Sequence, residues 1–224
     1  MVAVEAKLKL LDERLEKYSD SNPYGVEDDP EQKAIYSDIR NLAEQAPQVV
    51  ASHIRNMPMG LAEPGNYRDD YVEALLKDPD KFSNLLLSEL DFLIHQAGKL
   101  LHPQCVLSYV SVFGVGYTGK ETDFERRVRN RVLEALDSDS PYVRGHCINL
   151  LLDFAYENEY CIRRMQKILT EDTDWRVRDV TFDILREMNK LPADYRRPFS
   201  QRLLALFFPS VKMKVWTDSR MSCF

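Results

Sequence analysis

Apolar residues recur along this chain at intervals of three and four, the spacing that gathers side chains on one face of an α-helix. Val4, Leu8, Leu11, Leu15 and Tyr18 form the first such stripe and predict a helix from about Val4 to Tyr18, closed by the turn cluster at residues 19–25. Asp29-Pro30 reads as N-cap and first position of a second helix, whose Ile35, Ile39, Leu42 and Ala46 share a face until Pro47. A short helix is predicted over 48–56. Residues 57–67 hold two prolines and two glycines and mark a long loop or an internal boundary, after which helix resumes at about Arg68. Asp78-Pro79 precedes another stripe, Phe82, Leu86, Leu90, Leu93 and Ala97, which Gly98 closes. In the run 104–113, Gln104, Ser108 and Ser111 fall on one side and Val106, Tyr109, Val110 and Phe113 on the other, so it too is predicted helical.

Residues 122–136, 141–157, 158–170 and 174–190 form two further helix pairs. Ser140-Pro141 and Thr173-Asp174 sit at their N-cap positions, where a side-chain oxygen can satisfy free amides of the first turn. These pairs echo each other: LEALDSDSPYVRGHCINLLLDFA (133–155) is followed by KILTEDTDWRVRDVTFDILREM (167–188), with Val143-Arg144 and Val177-Arg178 offset by 34 residues. A period of this length marks helical hairpins that bury their apolar faces only against their neighbours. A last hairpin includes Phe199 to Phe208, ended by Pro209.

A polar turn, Val-Arg, and then apolar residues at helical spacing (Val143, Cys147, Leu150, Leu151, Phe154; Val177, Thr181, Ile184, Leu185, Met188) resemble a HEAT-type repeat over residues 124–188. The resemblance implies an all-α fold, a short HEAT-like α-solenoid of stacked antiparallel helix pairs. It further implies one α-helical domain over 1–224, with less regular helices over 1–66, stacked pairs over 68–208 and a tail over 209–224. Similar proteins are scaffolds and adaptors whose repeat Asp and Arg hold adjacent turns together, which assigns Arg144 and Arg178 a structural role. A guanidinium fork can satisfy several turn oxygens at once.

The outer face of each second helix is then the candidate contact surface. It carries Tyr142, Gly145, His146, Asn149, Asp153 and Glu157 in the first repeat and Arg176, Asp179, Asp183 and Glu187 in the second. Asn149 aligns with Asp183, and Asp153 with Glu187, at the same offset. Carboxylates four apart on one helix repel by about 0.2–0.5 kcal/mol a pair. An acidic ridge of this kind is therefore expected to meet a basic protein surface, whose complementary potential would speed association.

Composition narrows the function classes. At 44% hydrophobic and 29% charged residues with 8 glycines, the chain is an ordinary globular, helix-leaning sequence. Residues 1–119 carry 11 basic and 19 acidic side chains, net −8, whereas 120–224 carry 19 and 17, net +2. With a pI near 5.3, that balance argues against general affinity for nucleic acid. No apolar run reaches membrane-spanning length, the first residues lack the core of a signal peptide, and four scattered cysteines fit reduced thiols, so a cytoplasmic protein is expected.

Three other chemistries have partial signatures in the chain. Gly114, Gly116, Gly119 and Lys120 form a phosphate-loop-like string, but Glu121 stands where a Ser or Thr would reach magnesium, and the preceding segment reads as helix. A HEAT-like DNA-repair glycosylase is suggested by Arg126, Arg127, Arg129 and Arg131 beside Trp175, although these arginines lie on different helix faces. His102, Cys105, His146 and Cys147 lack a second pair at metal spacing, so Cys105, Cys147 and Cys161 are expected in the core. The expectation is therefore a non-catalytic scaffold, adaptor or inhibitor with no cofactor and no metal. A small acidic inhibitor of the immunity-protein kind is its most specific form.

Overall fold

The computed structural model describes residues 2–21, 29–58, 65–99, 121–155 and 158–207, which are helices and short connections with no strand among them. The helices are α1 (Val2–Ser21), α2 (Pro30–Gln45), α3 (Pro47–Asn56), α4 (Arg68–Leu76), α5 (Ser83–Lys99), α6 (Asp123–Ala135), α7 (Pro141–Ala155), α8 (Glu159–Glu171), α9 (Trp175–Glu187) and α10 (Phe199–Phe207). The helix predicted over 104–113, the glycine string 114–120, Glu157 and the tail 209–224 lie outside the described residues, as do the side chains of Asn149 and Asp153. No described helix is long and apolar enough to cross a membrane. The chain divides into two compact units, Met1–Leu90 and Asp91–Phe224. The breaker-rich residues 57–67 lie inside the first.

In the first unit α2 packs on α1, α3 and α4. The predicted stripes supply its core: Leu8, Leu11 and Leu15 from α1, Ile35, Ile39 and Leu42 from α2, Val50 and Ile54 from α3. Asp29 caps α2 as its sequence suggests, its Oδ1 accepting from the amides of Glu31 (2.7 Å) and Gln32 (3.2 Å), with Pro30 at the first helical position. Beneath α4 the fully buried Arg68 guanidinium pairs with Glu89, and its Nη2 donates to the Met57 carbonyl at 3.4 Å. Burial raises the Glu89 pKa while Arg68 and Arg55 pull it down. Arg68 thus ties the helix start to the loop before it and to α5.

In the second unit α6 packs on α7, and α9 packs on both α8 and α7. Thr122 and Glu125 form a reciprocal capping box at the start of α6, and Asn158 and Asp174 cap α8 and α9. Val128, Val132, Val143, Cys147, Ile148, Leu151, Cys161, Met165, Val177 and Leu185 fill the interior. Cys147 is a wholly buried thiol whose pKa burial pushes up to about 12, and Cys161 is also buried; both act as small apolar residues.

Candidate partner-binding surfaces

The 34-residue echo is a repeat of hydrogen bonds as well as of letters. In the α6–α7 turn the Ser140 amide donates to Ser138 Oγ at 3.2 Å; in the α8–α9 turn the Asp174 amide donates to Asp172 Oδ1 at 2.8 Å. Arg144 Nη1 donates to the Ser138 carbonyl (2.7 Å) six residues back, and Arg178 Nη1 donates to the Asp172 carbonyl six residues back. Between the turns runs a bidentate bond: Arg144 Nε and Nη2 donate to Asp172 Oδ2 (2.8 Å) and Oδ1 (2.9 Å). Both side chains are mostly buried, at 12% and 5% exposed. Such a fork-to-carboxylate match fixes geometry as well as charge. The turn-holding role expected of Arg144 and Arg178 is the one their atoms perform.

The outer face of α9 departs from expectation at one residue. Asp179 is not part of an exposed ridge: it is completely buried, ion-paired with Arg197 and bonded by Gln201 Nε2 at 3.5 Å. The chain returning through residues 195–201 covers a position that helical periodicity alone leaves facing outward. Arg197 also lies over the Phe182 ring, 4.9 Å from its centroid. Asp183 lies within 3.3 Å of Arg186, and Glu187 is exposed. Arg176 folds back on the N-cap Asp174 and covers the Tyr142 ring at 5.3 Å. On the described part of this face Arg186 offsets Asp183 while Arg176 is taken up by Asp174, so Asp183 and Glu187 do not extend into a continuous acidic ridge.

A denser accumulation of like charge sits on the first unit. Asp12, Glu16 and Asp20 stand one turn apart along α1, and Asp69, Asp70 and Glu73 project from the first turns of α4. The helices meet through Asp12, which accepts from the Tyr71 hydroxyl at 2.9 Å and pairs with His53 Nε2 at 3.0 Å. Tyr67 lies among these groups: burial raises its pKa, and Glu16, Asp12, Asp20 and Asp70 add to the effect. Burial, then Asp70 and Glu73, push the Asp69 carboxyl up to about 6, with Arg68 opposing. Burial and Glu73 likewise push Asp70 up to about 6, against the Tyr36 hydroxyl at 3.5 Å. Tyr36 also donates to Glu73 at 3.0 Å. Among the described residues no three metal-ligating side chains are grouped to hold an ion. Of these carboxylates Glu16, Asp20 and Glu73 are exposed, whereas Asp12, Asp69 and Asp70 are half-buried.

The sequence carried a signal for this surface in the i, i+4, i+8 spacing of Asp12, Glu16 and Asp20 and in the net charge of residues 1–119. What it lacked was the contact of Asp12 with Tyr71 across 59 residues. Among the arginines of α6, Arg126, Arg129 and Arg131 are each ion-paired, with Asp123, with Glu121 at 3.2 Å, and with Asp91 and Glu134 at 3.3 and 3.1 Å. No family model, curated protein or solved structure matches this chain.

Proposed function

We propose that this chain is a non-catalytic protein-binding module, built from stacked helical hairpins, that offers an acidic surface to a basic partner protein. The observation that carries the reading is the crowding of Asp12, Glu16, Asp20, Asp69, Asp70 and Glu73 on α1 and α4, where two carboxyls sit well above their ordinary range. Burial is the larger cause of both shifts and repulsion from the neighbouring α4 carboxylates adds to it; that repulsive part is relieved when cations arrive from outside. Perturbed carboxylates gathered on one surface are a recognised mark of functional sites. The repeated α6–α7 and α8–α9 hairpins support the architectural half of the proposal, since arrays of this kind free whole helix faces for partners. An inhibitor that neutralises a basic enzyme fits the same features.

The surface sits in the first unit and does not depend on the outer face of α9. A pull-down from extract of the source cells tests it, with wild type and a Glu16→Lys/Asp20→Lys variant as baits after circular dichroism has verified the fold of both. A basic protein retained by wild type and reduced at least about tenfold by the variant is the expected result. Equal retention by the two baits would reject the surface, and retention of no protein by wild type would reject the function.

A further inference from the structure

Among the described residues, the repeated turn leaves one of its binding positions open. Arg144 uses its guanidinium twice: Nη1 holds its own turn through the Ser138 carbonyl, while Nε and Nη2 clasp Asp172 from the following turn. Arg178 occupies the same place 34 residues later and makes the same first bond, to the Asp172 carbonyl. The residue 34 beyond Asp172 is Leu206, which is 70% exposed and has no carboxylate to offer. One register earlier the pattern lacks both members, with Val110 in the arginine position and Ser138 in the aspartate position. The chain thus holds neither partner at the first register, both at the second and the arginine alone at the third.

The surroundings of Arg178 point the same way. Its side chain is half-buried, and among the described residues its Nε and Nη2 have no acceptor. The Tyr195 hydroxyl lies near enough for the Arg178 charge to act on it, and it also has no hydrogen-bond partner among the described residues. Arg144 identifies the acceptor chemistry directly, because the equivalent atoms in the preceding repeat hold an aspartate carboxylate in a bidentate fork.

We propose that Arg178 is a docking point for an aspartate-bearing turn of a partner protein, which supplies the carboxylate that Asp172 supplies to Arg144. This inference stands on the repeated turn and is independent of the acidic surface on α1 and α4. The occupant is a carboxylate on a turn because the internal precedent is one: Asp172 presents both oxygens from the turn between two helices. Exposed Phe199 and Leu206 of α10, in the same unit, are 71% and 70% exposed.

The probe is a synthetic peptide of residues 163–177, which carries Asp172 in its own turn sequence, titrated into the full ¹⁵N-labelled chain while the arginine Nε–H resonances are followed. The Arg178→Gln chain assigns the Arg178 signal. Saturable movement of that signal, with the already occupied Arg144 signal still, is expected, as is an apparent dissociation constant raised about tenfold or more for the Asp172→Asn peptide. No movement, or equal affinity of the two peptides, overturns the proposal. Movement of the Arg178 signal on raising the chain concentration without peptide also overturns it, by assigning the position to a second copy.

Discussion

At the scale of single residues, Arg144 and Arg178 are an internal experiment, since one sequence motif meets two surroundings. Replacing Arg144 by Ala leaves the Asp172 carboxylate, 5% exposed, without its countercharge, which costs about 3 kcal/mol for a buried pair. Arg178→Ala removes a single bond to a turn carbonyl and is expected to cost about 1 kcal/mol. Urea unfolding with an unchanged m-value measures both, and equal losses would mean that the bidentate bond contributes little. The carboxyls of α4 give a second prediction, on pH. Asp69 and Asp70 titrate near 6 in the folded chain, above their ordinary range near 4, so the folded state binds more protons than the unfolded state between those values. Stability then falls as pH rises through that window and is recovered on acidification. Both groups are partly solvated, so Asp70→Asn is expected to stabilise the chain by only about 1 kcal/mol at pH 7 and by nearly nothing at pH 4. Thermal melts of the variant and wild type at the two pH values test this; a gain that persists unchanged at pH 4 would rule out the electrostatic cause.

Helix boundaries were legible wherever the chain writes its caps locally. Asp29-Pro30 and Asp174, read as caps from the sequence, satisfy amides within three residues, and Thr122 with Glu125 and Asn158, which the apolar stripes alone did not single out, do the same. Thr122→Ala breaks a reciprocal pair, since the Glu125 amide donates to Thr122 Oγ1 at 3.1 Å while Glu125 accepts from the Thr122 amide. Its loss is expected to cost about 1 kcal/mol in urea unfolding, and Thr122→Ser is expected to restore most of that. Asp179 was illegible for the opposite reason. Helical period places it one turn from Asp183 and two from Glu187, yet Arg197 and Gln201, about 20 residues later, bury it. Only the path of the chain after α9 decides between an exposed ridge and a buried ion pair. The α1–α4 surface is also a product of pairing between distant segments, because Asp12 and Tyr71 meet across 59 residues. Caps and apolar stripes are local facts, whereas the sign of a surface depends on which helices lie side by side.

For the molecule as a whole, the question is which acidic residues a basic partner would meet first. The overall charge of −6 hides a division, with net −8 over residues 1–119 and +2 over 120–224. On α1, Glu16 and Asp20 are exposed and, with Asp12 and with Asp70 of α4, act together on Tyr67, so their potentials add there. On α9, Asp183 is paired with Arg186, the residue next to Glu187, so much of their potential cancels. Two reversals of equal formal charge, Glu16→Lys/Asp20→Lys and Asp183→Lys/Glu187→Lys, should therefore act unequally on association with the proposed basic partner. Surface plasmon resonance at several salt concentrations separates them, because steering acts on the association rate and is screened over about 10 Å at 0.1 M salt. The α1 reversal is expected to slow association about tenfold at low salt and to flatten its salt dependence, with the α9 reversal within about twofold of wild type. A larger effect from α9 would move the contact surface back to the second helix of the repeat and leave the crowded carboxyls of α1 and α4 without a binding role.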